Sequence, residues 1–219
     1  DGAIAYEMGT ALSDRLIHLQ VNADAKDWLE HYAVDRGLSP MVTAFLRARP
    51  DLLDTTEQAL RRGDMLACTP RSWERVSDIV TAMTDKVLRH TMICGTVGNA
   101  PAAEFAQVAA ELEALVALDE IMAAPKGKRS KLYPNSVNGL VGLIYALVAQ
   151  AKEANFEDTI DIMADLKNMD APGIPLAELT SFGFEILIRK AMAEGLAEAF
   201  RSSAAYHAYA EERAATGAL

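Results

Sequence analysis

Cysteine is scarce in this chain, and positive charge is in deficit. Cys68 and Cys94 are the two cysteines among 219 residues, which excludes a disulfide-rich scaffold and a zinc site with four cysteine ligands. The four histidines are scattered and form no HExxH motif, so we expect no metal site. The 31 acidic and 21 basic residues give a formal net charge of −10. This charge argues against nonspecific binding to nucleic acid or to an anionic membrane, because both need a positive field.

Long apolar runs and aromatic side chains are also lacking. No apolar run reaches the roughly 18 residues that a transmembrane helix needs. No signal peptide is evident, so we expect a cytoplasmic protein without a membrane partner. Aromatic residues make up 6% of the chain, whereas 39 of the 219 residues are alanine. Because alanine is the best helix former and a poor strand former, this composition predicts a mainly helical, all-α fold.

One β-strand is predicted near the N-terminus, over residues 16–21. Its sequence, Leu16-Ile17-His18-Leu19-Gln20-Val21, is rich in β-branched and large side chains. A single strand needs partner strands, and no later segment is predicted to supply one. The chain also begins with Asp1 rather than methionine. We therefore expect residues 1–21 to be the remnant of an upstream domain that has been cut away.

Capping residues and apolar spacings predict helices from residue 22 onward. Asn22 or Asp24 caps the first helix, and Ser39-Pro40 and Thr69-Pro70 each start a helix with proline at its first position. The helix after Thr69 is predicted to carry one apolar stripe, formed by Trp73, Val76, Val80, Met83 and Val87. Further helices are predicted over about residues 99–122, 137–148, 156–166, 176–192 and 203–214.

Two segments before residue 100 are predicted to interrupt the helices. Residues 54–68 are polar and are expected to form an irregular loop. Gly95-Thr96-Val97-Gly98 predicts a helix break with a tight turn. It is not a phosphate-binding loop, because no Gly-Lys-Ser/Thr follows it.

A subdomain boundary is predicted in the linker of residues 124–134. The linker contains two prolines, a glycine and a short basic cluster, Lys126, Lys128, Arg129 and Lys131. We interpret the cluster as part of a solvated linker, because it is short and lies in an acidic chain. The boundary separates a helical bundle of residues 22–123 from a second helical subdomain of residues 134–219.

Arg71 has the clearest physical argument of the candidate functional residues. It is the second residue of the helix that starts at Pro70, where its charge opposes the helix dipole at a cost of about 0.3–1 kcal/mol. The free N–H groups of a helix N-terminus and a guanidinium together suit a bound phosphate. The alternatives are that Arg71 lies over a neighbouring surface or pairs with Glu74.

Three other arginines have simpler interpretations. Arg15 precedes the predicted strand and is expected to be solvated and paired with Asp14. Arg47 and Arg49 flank the apolar residues of their helix and are expected at a solvated helix end, with an acidic partner as the alternative. The two cysteines are expected to be small buried apolar residues rather than nucleophiles.

Several motifs, in the same order, resemble those of the MoxR-type AAA+ ATPases. Asp1-Gly2-Ala3-Ile4-Ala5-Tyr6-Glu7 and the segment from Ala11 to Leu19 resemble the end of the ATPase core and its last strand. Residues 38–53 resemble the first part of the helical lid, and Thr69-Pro70-Arg71-Ser72-Trp73-Glu74 resembles the sensor 2 motif. Gly95-Thr96-Val97-Gly98 with Ala102-Ala103-Glu104-Phe105 resembles an element that follows in a bacterial and phage branch. The resemblance covers about residues 1–122.

The resemblance implies roles for two arginines. Arg71 matches the sensor 2 arginine, which reaches the γ-phosphate of ATP from the lid of the same subunit. Arg15 matches the arginine finger, which is presented to the ATP of the neighbouring subunit and so acts only in a homo-oligomeric ring. Such proteins couple ATP hydrolysis to the remodelling or maturation of a partner protein, and ATP and Mg are their cofactors.

The chain departs from the family in one large respect. It contains no Gly-x-x-x-x-Gly-Lys-Ser/Thr motif and no acidic Walker B strand, the elements that hold the phosphates and the metal. We therefore expect a C-terminal fragment with a core remnant (1–21), a lid with sensor 2 (22–123) and a C-terminal subdomain (134–219). The isolated chain is expected to bind no cofactor and to be inactive. The alternative is a non-enzymatic helical interaction module, whose arginines contact a partner and whose strand pairs by edge addition.

Overall fold

The computed structural model describes residues 14–17, 19, 22–115 and 118–215. These residues form helices joined by turns, and none of them belongs to a β-strand, so the predicted all-α class is confirmed for them. None of the described helices combines the length and apolar character that crossing a bilayer requires. The α-helices are α1 (Ala25–Trp28, continued by a π-helical turn over Leu29–Ala33), α2 (Pro40–Ala48), α3 (Thr56–Arg62), α4 (Pro70–Ala82), α5 (Lys86–Val97), α6 (Asn99–Leu115), α7 (Leu118–Ala123), α8 (Val137–Gln150), α9 (Phe156–Asp165), α10 (Leu176–Glu194), α11 (Glu198–Ser202) and α12 (Ala204–Ala215). Short 3-10 helices span Pro50–Leu52, Lys126–Lys131, Glu153–Asn155 and Leu166–Asn168.

The predicted N-terminal strand is not confirmed. Leu16, Ile17 and Leu19 have no regular secondary structure, and their exposed fractions are 47%, 89% and 81%. The remaining strand positions, 18, 20 and 21, lie outside the described residues, as do residues 1–13 of the proposed core remnant. The strand therefore stays a prediction.

The first of two hydrophobic cores lies within residues 29–109 and is built around three aromatic rings. Phe45 of α2 lies 5.2 Å from Trp73 of α4 and 5.4 Å from Phe105 of α6, measured between ring centroids. The indole N–H of Trp73 donates to the Leu52 carbonyl at 2.7 Å, which satisfies the one polar atom of this buried ring. The three rings thus hold α2, α4, α6 and the 3-10 turn of Leu52 together.

The second core is formed by residues between 112 and 209 together with Ala44, and it is centred on α8. Nine of the fourteen residues of α8 are buried, which is typical of a helix surrounded by others on most sides. Two glycines allow close helix approach. A Cβ atom at Gly142 would lie 2.2 Å from Leu112 of α6, and one at Gly183 of α10 would lie 2.2 Å from Met163 of α9. A side chain at either position would therefore require Leu112 or Met163 to move.

Helix α2 joins the two cores. Val42, Phe45 and Leu46 belong to the first core, whereas Ala44, on another face of the same helix, belongs to the second. All five residues from Val42 to Leu46 are buried, and α2 packs against α8 as well as against α4 and α6. The helix begins at Pro40 as predicted, and the Ser39 N–H donates to Ser77 Oγ of α4 at 2.7 Å. Both halves of the chain are therefore in contact along α2.

The predicted loop over residues 54–68 is wrong, because α3 lies inside it. Helix α3 ends at Gly63, whose φ of +71° is a left-handed conformation that favours glycine. An ion pair between Arg61 and Glu57 at 2.5 Å spans one turn. Only Ala59 of the helix is buried, so α3 has no apolar stripe by which periodicity would reveal it.

The predicted apolar stripe is confirmed for Trp73, Val76 and Val80, which are buried on α4. Its continuation to Val87 is wrong. Helix α4 ends at Ala82, and Asp85 caps a new helix by accepting hydrogen bonds from the N–H groups of Val87 and Leu88. Val87 is 78% exposed instead of lying in the core. The predicted break at residues 95–98 shrinks to Gly98, whose φ is +90°, because α5 continues through Val97.

The solvated character predicted for the basic cluster of residues 126–131 is confirmed for its three lysines, which are exposed, and wrong for Arg129. These residues form a 3-10 helix, and the side chain of Arg129 is buried. Arg129 donates to the Ala124 carbonyl at 2.9 Å and pairs with Asp158 of α9 at 2.9 Å. Lys126 forms an ion pair with Asp161 one turn further along α9. Asp158 and Asp161, which lie three residues apart on α9, thus bind the segment to that helix. Composition alone did not reveal these two ion pairs.

Replacement of Trp73 by phenylalanine tests the aromatic core. Trp73→Phe removes the N–H that bonds to the Leu52 carbonyl and leaves a small void, so we expect a loss of about 2 kcal/mol in the free energy of unfolding. Trp28→Phe is the matched control, because Trp28 is half-buried and stacks on Tyr32 at the edge of the core. Urea denaturation followed by circular dichroism measures both. Equal losses in the two variants would contradict the central role of Trp73.

Candidate functional site

Arg71 lies at the start of α4, where the backbone is held rigidly. Thr69 is the N-cap and Pro70 the first helical residue, as predicted. The Ser72 N–H donates to Thr69 Oγ1 at 3.1 Å, and the Thr69 N–H donates to Ser72 Oγ at 2.8 Å, which forms a capping box. The next residue, Trp73, is anchored in the first core. Arg71 is therefore presented from a fixed backbone position.

The side chain of Arg71 is exposed and is not paired with Glu74. Glu74 instead accepts a hydrogen bond from the Tyr32 hydroxyl at 3.1 Å and lies 3.6 Å from Arg36. Within the part of the chain that the structure describes, Arg71 forms no ion pair. A solvated guanidinium at a helix N-terminus remains open to an anion.

Arg15 is exposed in a turn and lies outside the described helices. An exposed arginine is accessible to a neighbouring molecule, as the resemblance requires of an arginine finger, which acts on a neighbouring subunit.

Arg49 has its acidic partners inside the chain. Its guanidinium donates two hydrogen bonds to Asp51, at 2.9 and 2.8 Å, and also pairs with Glu104 of α6. The guanidinium lowers the pKa of Asp51, and the carboxylate raises the pKa of Arg49. Arg49 thus connects the end of α2 to α6 and is not a free binding residue.

Arg47 is not at a solvated helix end, and this part of the prediction is wrong. It is half-buried, and its guanidinium carbon lies 3.5 Å from the centre of the Phe182 ring of α10. It lines a cavity of about 680 Å³ between the first half of the chain and helices α10 and α12. We call this cavity the Arg47 cleft. Other lining residues include Lys26, Glu30, Ala177, Thr180, Tyr209 and Glu212.

Two buried hydroxyl groups lie near the Arg47 cleft without hydrogen-bond partners among the described residues. They belong to Tyr145 of α8 and Thr180 of α10. Burial raises the pKa of Tyr145 to about 12, and the nearby Arg47 guanidinium opposes this shift. The Tyr145 hydroxyl thus lies beside the Arg47 guanidinium without meeting good hydrogen-bond geometry. Each unpartnered hydroxyl costs about 1–3 kcal/mol of desolvation.

An ion pair closes the wall of the cleft. Arg189 of α10 donates to the Glu30 backbone carbonyl at 2.6 Å, and its guanidinium lies 3.7 Å from the Glu30 carboxylate. The same guanidinium lies 3.7 Å from Glu185, one turn earlier on α10. Glu30 is buried, so its charge needs this partner. Arg189 is therefore the partner of two of the carboxylates that line the cleft.

The two cysteines differ in environment. Cys68 is buried as expected, and burial raises the pKa of its thiol, which makes it a poor nucleophile. Cys94 is half-buried, and its Sγ lies 3.5 Å from Nε2 of His90 on the same helix. The described residues contain no group of three or more His, Cys, Asp and Glu side chains that suits a metal ion.

Sequence reasoning missed the Arg47 cleft, although one signal was available. Ala44 and Arg47 are three residues apart and therefore share a face of α2. That face carries a small and a charged side chain, whereas the face of Phe45 is apolar. A small residue beside an arginine on a helix that is otherwise apolar indicates a second packing face. That signal does not identify the partner, because Phe182 lies more than 130 residues away from Arg47 in the sequence.

Comparison of the chain with protein-family models, with curated proteins and with solved structures finds no match.

Substitution of two buried tyrosines, Tyr145 and Tyr133, tests the polar interior. Tyr145→Phe removes an unpartnered hydroxyl, so we expect a free energy of unfolding that is unchanged or slightly higher. Tyr133→Phe is the matched control, because the Tyr133 hydroxyl donates to Asp165 at 3.0 Å and its removal should cost about 1–2 kcal/mol. Urea denaturation at neutral pH compares the two. A larger loss for Tyr145→Phe would show that its hydroxyl has a partner.

Proposed function

We propose that this chain is the lid and C-terminal extension of a MoxR-type AAA+ ATPase, in which Arg71 contacts the nucleotide phosphates as sensor 2. The observation that carries the proposal is the position of Arg71 and the exposure of its side chain. It is an exposed cation at a capped helix N-terminus, and Glu74, its expected partner, is engaged by Tyr32 and Arg36. Both the helix N-terminus and the guanidinium favour a phosphate at this position.

The core supports the proposal in a second way. Three of the motifs that carry the resemblance are spread over residues 38–105, yet Phe45, Trp73 and Phe105, one from each of them, meet in one aromatic cluster. Val97 and Ala102, from the same motif as Phe105, are buried in the same core. These three motifs therefore form one packed unit, as a shared lid domain requires.

The parent protein would couple ATP hydrolysis to the remodelling or maturation of a partner protein, as a homo-oligomeric ring. This chain supplies neither a phosphate-binding loop nor a Walker B carboxylate, so its own residues do not hold Mg-ATP and we derive no chemical step within it. Arg15 is the proposed arginine finger toward the neighbouring subunit. Its exposure in a turn leaves it accessible to such a contact.

The second candidate function is a non-enzymatic interaction module. Apolar side chains of α5 favour it, because Leu88 and Met92 lie four residues apart on one exposed face, next to the exposed Val87. Apolar surface of this kind marks many protein contacts. The two proposals differ in whether a Walker A motif belongs to the same polypeptide.

The first measurement is the intact mass of the protein as the cell makes it, read against its open reading frame. Under the ATPase proposal, the product is larger by roughly one α/β core of ~150–200 residues and carries a Gly-Lys-Ser/Thr loop. A natural product that starts near Asp1 would remove the ATPase proposal and leave the interaction module.

Substitutions in that longer protein test the two arginines. We expect Arg71→Ala to weaken ATP binding and to lower turnover by about tenfold or more, because a charged phosphate contact is lost. Arg15→Ala should lower turnover by about 10³-fold with little change in nucleotide affinity. Coupled-enzyme ATPase assays and fluorescent-nucleotide titration measure both quantities.

Arg75→Ala is the matched control, since Arg75 is an exposed arginine one turn further along α4. It should retain normal turnover and affinity. If Arg71→Ala behaves like Arg75→Ala, the sensor 2 assignment fails. If Arg15→Ala has a normal rate, or if subunits defective in Walker B do not rescue it in mixed rings, the finger assignment fails.

A further inference from the structure

We propose that the Arg47 cleft binds a small organic monocarboxylate, with the carboxylate on the Arg47 guanidinium and an apolar body against the neighbouring rings. This site is distinct from Arg71 and Arg15, and the proposal does not depend on the ATPase assignment. Its volume of about 680 Å³ lies within the range of small-molecule sites in proteins.

The state of the Arg47 guanidinium is the main observation. One face is covered by the Phe182 ring at 3.5 Å, which holds the planar group in place. A guanidinium has five N–H donors. Within the described residues, no carboxylate pairs with Arg47, and the hydroxyl of Tyr145 lies beside its guanidinium. A half-buried arginine that lines an open cavity and lacks a carboxylate partner is suited to a planar, two-oxygen acceptor.

The surrounding charges favour a single negative charge on the ligand. The cleft is lined by four basic residues, Lys26, Arg47, Lys167 and Arg213, and by four acidic residues, Glu30, Glu178, Glu185 and Glu212. Glu30 and Glu185 face Arg189, and Glu212 pairs with Lys167. Because these carboxylates remain close, a phosphate dianion meets more repulsion than a monocarboxylate does.

The rings define the apolar part of the ligand. Phe182 forms the floor beneath Arg47, and Tyr209 of α12 lies at another side of the same cavity. An aromatic or branched apolar body can pack between them while its carboxylate meets the guanidinium. The Arg47 cleft thus combines apolar walls with a cation that has no carboxylate partner among the described residues, as ligand sites commonly do.

The test uses benzoate as the probe, with benzamide as the neutral isostere and phenyl phosphate as the dianion. The whole chain is titrated with each, and the Nε–H resonance of Arg47 is followed by nuclear magnetic resonance. We expect benzoate to shift this resonance with an affinity on the order of millimolar, as suits so small a ligand. Benzamide and phenyl phosphate should each bind at least about tenfold more weakly.

Two variants locate the site. Arg47→Met keeps an apolar contact with Phe182 and removes the cation, and it should weaken benzoate binding at least about tenfold. Ala177→Trp keeps Arg47 and fills the mouth of the cleft from an exposed position on α10, so it should also abolish binding while leaving the core intact. Arg75→Met on α4 is the matched control and should bind benzoate normally.

Several outcomes would overturn the proposal. The Arg47 resonance would not respond to benzoate, or benzamide would bind as well as benzoate. Tighter binding of phenyl phosphate than of benzoate would replace the monocarboxylate by a phosphate. If Arg47→Met unfolds, Ala177→Trp still decides, because unchanged benzoate binding in that variant would place the ligand elsewhere.

Discussion

The burial of α2 between two hydrophobic cores is the constraint on which the rest of the structure depends. A helix in that position needs apolar or small side chains on several faces, and the run from Val42 to Leu46 supplies them. Phe45 carries the contact to Trp73 and Phe105, and Ala44 carries the contact to the second core. Through α2, the positions of α8 and α10 depend on the position of α4. Because α4 carries Arg71 at its first turn, the position of Arg71 depends on the same packing.

The polar groups near α2 follow from the same constraint. A helix enclosed by two cores can keep an arginine only where that arginine reaches the edge of the packing. Arg49 does so at the helix end and finds Asp51 and Glu104. Arg47, two residues earlier, reaches the boundary between the halves and meets the ring of Phe182 rather than a carboxylate. The two arginines differ in role because they leave the helix on different faces.

The Arg71 site of the proposed function and the Arg47 cleft differ in solvent exposure. Arg71 lies beside the capping box of Thr69 and Ser72 and the buried Trp73. The neighbouring polar groups bond to each other and the neighbouring ring lies in the core, so the Arg71 guanidinium is left in solvent. Arg47 is half-buried, and its contact with Phe182 is a consequence of how two distant parts of the chain meet. An exposed cation is recognisable from its position in a helix, whereas an enclosed one depends on its neighbours.

The amino-acid sequence by itself determined the helical class, the starts of α2 and α4 at Pro40 and Pro70, and the aromatic residues of the first core. These follow from local capping chemistry and from apolar periodicity, which act over a few residues. It did not reveal α3, whose one buried residue leaves no stripe, or the end of α4 before Val87, because the spacing of apolar residues continues past the true break. Only the tertiary structure decided that Arg129 is buried on α9 and that Arg47 stacks on Phe182. Those outcomes depend on partners 29 and more than 130 residues away, and contacts at such separations are set by packing rather than by local sequence.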